Sequence, residues 1–360
     1  MNASLIRLHL LKGIILSTER ILNLIDAIPL PVLVIGPDDR IRATNTPLEA
    51  LLGTDLIGKH HITALRQPAV IDAIAAVRQS GSKTSVRFVT RERDKDTPFR
   101  VLVAKADDDV VLTFEDQSAA EDVGKMRRDF VANVSHELRT PLTALLGFIE
   151  TLSGAARDDP AARARFLGIM AHEANRMTRL VDDLLSLSRV EEDERVRPRE
   201  QVELGALLAS VIKGLEPQAS AADVAVRLDL KCPVQHVPGD AGQLTQVFSN
   251  LIENGIKYGA SGKQVLVTLE EPVNHLRLRG QGVQIRVADQ GDGIAGHHIA
   301  RLTERFYRVD SHRSRQVGGT GLGLAIVKHI INRHRGRLLI ESELGQGTIV
   351  SVFLPVASLS

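Results

Sequence analysis

Apolar residues three or four positions apart run through residues 131–152 and predict one long amphipathic helix. A second helical pattern, Ala161 to Val190, follows a break at Gly154 to Pro160. This spacing places the apolar side chains of each helix on one face. Two such helices cannot bury both faces alone, so the pattern predicts a helical hairpin that completes a four-helix bundle with a second chain. The apolar positions are Val131, Val134, Leu138, Leu142, Leu145, Ile149 and Leu152, then Phe166, Met170, Met177, Leu180, Leu184 and Leu187.

Short apolar segments before the hairpin predict a mixed α/β domain over residues 21–118. Segments that alternate apolar and polar residues are typical of half-buried strands, and glycine, proline and aspartate between them indicate turns. Strands are expected at 32–35, 41–43, 85–90, 99–104 and 110–114, with short helices ending near Leu52 and spanning 69–79.

Residues 1–20 are interpreted as an N-terminal helix. The apolar run from Leu5 to Leu16 is interrupted by Arg7, His9 and Lys12. It is shorter than the ~20 residues that a membrane helix needs. We therefore expect a helix that leads into the first domain, with contact to a membrane surface, through this helix only, as the alternative.

The last part of the chain, residues 203–357, predicts a second α/β domain, and a charged linker precedes it at 191–202. A strongly amphipathic helix is expected from Asp240 to Tyr258. Val283, Ile285 and Val287 alternate with polar residues and indicate a strand, and a further helix is expected at 324–333.

Composition agrees with several folded domains. The chain has 360 residues, and its 45 basic and 44 acidic residues leave a net charge of +1, which gives no reason to expect direct nucleic-acid binding. A single cysteine, Cys232, excludes an internal disulfide bond and fits the reducing cytoplasm.

One histidine lies on the predicted solvent face of the first hairpin helix. At about 100° per residue, His136 points roughly opposite to Val134 and Leu138. A neutral imidazole is a nucleophile, and its ordinary pKa of about 6.5 leaves much of it uncharged near neutral pH. Glu137 can accept the other ring proton, and Thr140 shares the face of His136 one turn on. Each residue alone also fits an ordinary solvated surface, but together they favour a nucleophilic site.

The polar face of the predicted 240–258 helix suits a nucleoside triphosphate. It carries amides and one lysine: Gln243, Gln246, Asn250, Asn254 and Lys257. The amide oxygen of Asn254 can bind Mg²⁺, which takes phosphate oxygens as further ligands. Lys257 can neutralise phosphate charge. A solvated helix face remains the alternative for this helix alone.

Two glycine-containing segments add to this hypothesis. Asp289 ends a predicted strand, where its carboxylate can accept a hydrogen bond from an adenine amino group while Gly291 and Gly293 let the backbone approach the ring. The segment from Gly318 to Leu324 opens a helix, and free N–H groups at a helix start favour phosphate. Each segment alone is common. Their order and spacing together are specific.

These segments resemble the conserved boxes of the sensor histidine kinases. Phe130 to Leu142 is similar to the phosphoacceptor box of that family. The resemblance implies a multidomain α/β chain: a PAS-like α+β sensor domain (21–118), a two-helix dimerisation and phosphoacceptor hairpin (119–190), and an α/β-sandwich ATPase domain of the gyrase, chaperone and histidine-kinase type (203–357). The N, G1, F, G2 and G3 boxes of the ATPase domain are matched by Asn250–Tyr258, Asp289–Ile294, Arg305–Arg308, Gly319–Leu324 and Gly345–Thr348.

The resemblance also implies a role for each site residue. His136 would be phosphorylated, with Glu137 as its general base and Thr140 serving the reverse, phosphatase activity. Asn254 would bind Mg²⁺ and Asp289 would read adenine. The loop from Gly296 to Gly321 would be a mobile lid. The full expected ATP site comprises Asn250, Asn254, Lys257, Tyr258, Asp289, Gly291, Gly293, Gly319, Thr320, Gly321, Leu322 and Gly323.

The implied function is a homodimeric kinase that binds Mg²⁺ and ATP, phosphorylates itself and passes the phosphoryl group to an aspartate of a cognate response regulator. Residues 305–310 and 314–329 look most like phosphate-regulon sensor kinases.

ATP-hydrolysing relatives on this fold carry a glutamate four residues before the metal-binding asparagine. This chain has Asn250 there, and Glu253 is expected on another face than Asn254. The alternative is an ATP-binding regulator that acts mainly as a response-regulator phosphatase through Thr140.

Overall fold

The structure is a computed structural model, and it describes residues 23–92, 95–154, 156–192, 196–232, 235–275, 278, 280–309 and 319–356. The chain divides into two compact units, residues 1–131 and 132–360. The expected N-terminal helix, residues 310–318 of the expected lid and part of the charged linker lie outside the described residues. Among the described residues, no helix is both long and apolar enough to cross a membrane.

The first unit contains a five-stranded antiparallel sheet in the order β2-β1-β5-β4-β3. Buried phenylalanines Phe88, Phe99 and Phe114 pack edge to face in its core, and alternate residues of the strands point into that core. The strands predicted from alternation are all present. The elements are β1 (Val32–Ile35), β2 (Ile41–Thr44), α1 (Thr46–Leu52), α2 (Pro68–Ser80), β3 (Thr84–Glu92), β4 (Lys95–Ala106) and β5 (Asp109–Asp116).

Asn45 connects strand β2 to helix α1 and fixes the chain that precedes the sheet. Its side-chain oxygen accepts hydrogen bonds from the N–H groups of Val32 (2.8 Å) and Leu48 (3.2 Å). Its amide nitrogen donates to the carbonyls of Ile25, Ile28 and Leu30. Asn45 is therefore a buried, fully bonded N-cap, the role in which asparagine is favoured.

Two long helices form the predicted hairpin. Helix α3 (Ser118–Ser153) begins in the first unit and continues into the second, and α4 (Pro160–Glu192) returns beside it, with Phe148 stacked on Phe166 at 5.4 Å between ring centroids. Pro141 lies inside α3. The predicted buried face is only partly covered in a single chain, because Leu142 and Ile149 remain 50% and 47% exposed.

The rest of the second unit is an α/β sandwich. Its main sheet has the order β12-β13-β11-β9-β7, with β10 added beside β11, and β7 is parallel to β9 whereas the other neighbours are antiparallel. Helices α5, α6 and α8 pack on one another and on the sheet. The elements are β6 (Gln201–Glu203), α5 (Leu204–Ala221), β7 (Ala225–Leu230), β8 (His236–Pro238), α6 (Ala241–Tyr258), β9 (Gln264–Leu269), β10 (Val273–His275), β11 (Gly280–Asp289), α7 (Gly296–Ile299), α8 (Gly323–Arg333), β12 (Arg337–Glu343) and β13 (Gly347–Pro355).

A buried histidine joins the end of α8 to the start of α6. His334 bonds through Nδ1 to the carbonyl of Ile330 (2.8 Å), and its Nε2 accepts from the N–H of Asp240 (3.0 Å), the N-cap of α6. An imidazole that accepts at Nε2 is neutral and carries its proton on Nδ1. Burial lowers the pKa of His334 below its ordinary value.

Candidate nucleotide and phosphoacceptor site

A cavity of about 440 Å³ opens between helix α6, the end of β11, the glycine-rich loop before α8 and helix α4. This volume lies within the usual range for small-molecule sites. Most residues of the predicted ATP site line it: Asn250, Asn254, Lys257, Tyr258, Asp289, Gly293, Gly319, Thr320, Gly321 and Gly323. The other two predicted residues, Gly291 and Leu322, are buried beside it.

Asp289 is held at the end of β11 by backbone bonds. Its Oδ1 accepts from the N–H groups of Gly291 (2.9 Å) and Thr348 (3.3 Å). Burial raises the pKa of Asp289, and these two bonds oppose the rise. Among the described residues both bonds go to Oδ1, so Oδ2 can accept a hydrogen bond from a bound group.

Two glycines at the cavity wall cannot be replaced without strain. Gly293 has φ +68°, and a Cβ there would lie 1.9 Å from the carbonyl oxygen of Glu343. Gly321 has φ +74°, and a Cβ would lie 3.0 Å from the backbone of Phe306. Both conformations are left-handed, which favours glycine. Gly293, which is expected to let the backbone approach a ligand, therefore also packs closely against the backbone of Glu343.

Asn250, Asn254 and Lys257 of the polar face of α6 line the cavity, whereas Gln243 and Gln246 lie outside its lining. The side-chain nitrogen of Asn250 is buried and has no hydrogen-bond partner among the described residues, so it can donate to a ligand. The expectation that Glu253 lies away from the Asn254 face is wrong, because Glu253 lines the same cavity. Its carboxylate forms a salt bridge of 2.9 Å with Lys257, one turn further along the helix. Glu253 is therefore engaged in an ion pair.

Helix α4 contributes cavity residues that the sequence analysis missed: Arg179, Asp182 and Asp183. The hydroxyl of Thr320 in the glycine-rich loop donates to Oδ2 of Asp183 at 2.6 Å. Burial raises the pKa of Asp183. In sequence, these charged residues are indistinguishable from the solvated face of an amphipathic helix.

The predicted phosphoacceptor residues lie on α3, outside the lining of this cavity. His136 and Thr140 are exposed. The hydroxyl of Thr140 donates to the backbone carbonyl of His136 at 3.1 Å. The structure thus places both residues on one accessible face of α3, as the helical spacing predicted.

Glu137 is bound by two arginines. Its Oε2 accepts from Arg176 of α4 at 2.6 Å and from Arg308 at 3.3 Å. Arg308 also donates to the carbonyl of Gly319 at 2.5 Å. Among the contacts of the described residues, the Glu137 carboxylate bonds to arginines and not to the His136 ring. The guanidinium of Arg308 therefore connects the residue beside the histidine to the glycine-rich loop.

Comparison with known proteins gives two family matches. Residues 126–193 match the His Kinase A (phospho-acceptor) domain, and residues 239–358 match the histidine kinase-, DNA gyrase B- and HSP90-like ATPase family. The described helices α3 and α4 fall largely within the first match, and the cavity residues of α6, β11 and the glycine-rich loop fall within the second.

Sensor kinases are similar to the chain over about two thirds of its length. The phosphate regulon sensor protein PhoR of Pseudomonas aeruginosa is 40% identical over 242 residues, which cover 66% of this chain and 52% of PhoR. The sensor protein kinase WalK of Staphylococcus aureus is 37% identical over 245 residues, which cover 68% of this chain and 57% of WalK. The chain therefore spans about half the length of these relatives.

A solved structure shares the overall fold. The histidine kinase ThkA, crystallised in complex with the response regulator protein TrrA, has a TM-score of 0.51 at 20% identity, and the match covers 91% of this chain and 96% of that one. The matched phosphoacceptor and ATPase domains, in this order on one chain, agree with the resemblance of the sequence boxes. The chain belongs to the sensor histidine kinases of two-component systems.

Proposed function

We propose that the chain binds Mg²⁺ and ATP in the 440 Å³ cavity and transfers the γ-phosphoryl group to His136. The observation that carries this proposal is that the cavity is lined both by the ATPase-domain residues and by helix α4 of the phosphoacceptor hairpin. The proposed nucleotide cavity and His136 therefore belong to the same compact unit.

The cavity residues suit the parts of ATP. Oδ2 of Asp289 offers an acceptor, and the side-chain nitrogen of Asn250, which has no partner in the described part of the chain, offers a donor. Tyr258 offers a flat apolar ring to the base. Lys257 offers positive charge to phosphate. Asn254 would hold Mg²⁺ through its amide oxygen, and the ion when bound supplies charge neutralisation at the phosphate oxygens.

The proposed transfer needs the carboxylate of Glu137. A nitrogen of the His136 ring attacks the γ-phosphorus, the bond from that phosphorus to the ADP oxygen breaks, and Glu137 accepts the proton on the other ring nitrogen. Most of the acceleration comes from positioning and charge neutralisation. In the described arrangement Glu137 is bound to Arg176 and Arg308, so the transfer requires it to exchange these contacts for the imidazole.

We also propose that the phosphoryl group passes to an aspartate of a response regulator, and that Thr140 serves the reverse reaction. Exposure of His136 and Thr140 supports access by a second protein. The similarity to PhoR supports a phosphate-regulon role, although the identity to WalK is nearly as high. The five-stranded sheet of the first unit supports a PAS-like sensor domain at residues 21–118.

Labelling with ATP that carries a radioactive γ-phosphate tests the proposal. The wild-type chain should acquire label that is labile in acid and stable in base, and His136→Gln should acquire none. His172→Gln is a matched control, because His172 is a half-exposed histidine on the return helix, and it should keep the label. Absence of label from the wild type, or label retained in His136→Gln, would contradict the proposal.

A further inference from the structure

A carboxylate from the phosphoacceptor hairpin lies inside the nucleotide cavity. Asp183 of helix α4 accepts a hydrogen bond from the hydroxyl of Thr320 at 2.6 Å. Thr320 belongs to the glycine-rich loop, which leads directly into helix α8 at Gly323. The loop also contacts the hairpin through Arg308, which bonds to both Gly319 and Glu137.

The start of α8 is a place where an anion is favoured. Its free N–H groups and the helix dipole both attract negative charge, and a glycine-rich loop in front of a helix is a common phosphate site. Asp183 presents a charge and acceptor oxygens to this loop, as a phosphate group would. We infer that Asp183 occupies the position of an ATP phosphate on the Thr320 loop, so that ATP must displace it. This inference rests on the proposed function of the cavity.

The charges around Asp183 support competition with ATP. Burial raises the pKa of Asp183, the hydrogen bond from Thr320 opposes the rise, and nearby Glu253 adds to it. Lys257 favours the charged carboxylate. The groups that stabilise the Asp183 carboxylate, Thr320 and Lys257, are thus the groups expected to bind phosphate. They cannot serve both anions fully at once.

Displacement of Asp183 would also loosen the ATPase domain from the hairpin. Further contacts hold α4 to that domain, namely Ser186 with Gln246 at 2.8 Å and Glu191 with Arg305. Coupling between two binding events is reciprocal. If ATP binding weakens the contact between α4 and the ATPase domain, that contact in turn weakens the binding of ATP. Asp183 therefore makes nucleotide binding and release of α4 a single linked event.

Calorimetric titration of the full chain with the nonhydrolysable analogue AMPPNP and Mg²⁺ tests the inference. Asp183→Asn keeps the shape of the side chain and removes its charge. We expect its Kd for AMPPNP to fall about tenfold, the effect of one hydrogen bond to a charged group. Asp129→Asn is the matched control, because Asp129 is an exposed aspartate of the same hairpin, on α3, and lies outside the residues that line the cavity. It should change the Kd by about twofold or less.

Adenosine separates phosphate competition from a general opening of the cavity. Its Kd should be the same for the wild type and Asp183→Asn, since adenosine has no phosphate to place on the loop. In a Thr320→Val background, Asp183→Asn should increase the affinity for AMPPNP by less, because the hydroxyl that donates to the Asp183 carboxylate is already absent.

Each outcome has one meaning. Unchanged AMPPNP affinity in Asp183→Asn, an equal gain in Asp129→Asn, or an equal gain for adenosine would overturn the inference while the proposed nucleotide site stands. Failure of both the wild type and Asp183→Asn to bind AMPPNP would overturn the inference and the proposed function together.

Discussion

Asn254 and Asp289 reach the same cavity from different elements, and the chemistry expected of each depends on a single side-chain oxygen. Asn254, the proposed Mg²⁺ ligand, is a neutral residue in a wall that already carries Glu253, Asp182 and Asp183. A neutral oxygen can bind a cation without repelling the triphosphate that accompanies it. The absence of a charge on Asn254 is therefore expected to matter as much as the presence of its side-chain oxygen.

Replacement of Asn254 by aspartate tests this expectation. Asn254→Asp adds a further negative charge to the wall and should abolish His136 labelling while the melting temperature stays close to that of the wild type. Asn175→Asp adds the same charge on the exposed face of α4 and should leave labelling intact. Labelling by Asn254→Asp at the wild-type rate would show that the metal is held elsewhere.

Residues of the site that are close in sequence could be predicted, whereas those brought together by the fold could not. Helical spacing put Asn250, Asn254 and Lys257 on one face, and the structure shows them lining one cavity. Arg176 bonds to a carboxylate 39 positions away, and Asp183 to a hydroxyl 137 positions away. Periodicity within one helix carries no information about such partners.

At the scale of elements, a buried histidine forms a junction between α8 and α6 in the ATPase domain. His334 bridges the two helices as a neutral ring, with its Nε2 bound to the N-cap of α6. The sequence predicted both helices and their apolar faces, because periodicity reports burial. It could not predict the junction, since a histidine after a helix is equally compatible with a solvated C-terminus.

Stability of this junction should depend on pH. The pKa of His334 is lowered in the folded chain, so the unfolded chain binds the proton more readily. The free energy of unfolding contributed by the neutral ring is therefore complete above a pH of about 6.5 and falls as the pH drops below it, by about 1.4 kcal/mol for every unit by which the pKa is lowered. Urea unfolding between pH 5 and pH 8 measures the loss.

Two variants isolate the contribution of His334 to this pH dependence. His334→Gln should flatten the decrease in unfolding free energy, whereas His236→Gln, which removes an exposed histidine, should leave it unchanged. The assignment would be wrong if His334→Gln lost as much stability as the wild type between pH 8 and pH 5.

At the scale of the whole molecule, the hairpin leaves several large apolar side chains exposed. Leu142, Leu146 and Ile149 of α3 and Leu185 of α4 are each about half exposed. Contiguous exposed apolar surface usually indicates a protein interface. The helical periodicity predicted apolar faces that two helices cannot bury alone, and the structure shows which side chains of these faces are exposed.

We expect the chain to form a homodimer through this surface, with twice the mass of 39.2 kDa that one chain has. Leu146→Glu places a charge in the interface and should shift the molecule to a monomer in light scattering after size exclusion. Leu344→Glu changes a leucine that is even more exposed, in the turn between β12 and β13, and should remain dimeric. A monomeric wild-type chain would exclude this interface.

Helix α3 runs without interruption from Ser118 to Ser153, and the boundary between the two compact units falls inside it. Each turn of a helix is bonded to the next, so a twist applied at one end is transmitted along it instead of being absorbed at a hinge. Within this one helix the angular positions of the side chains are therefore fixed relative to one another, and His136 and Thr140 keep a common face.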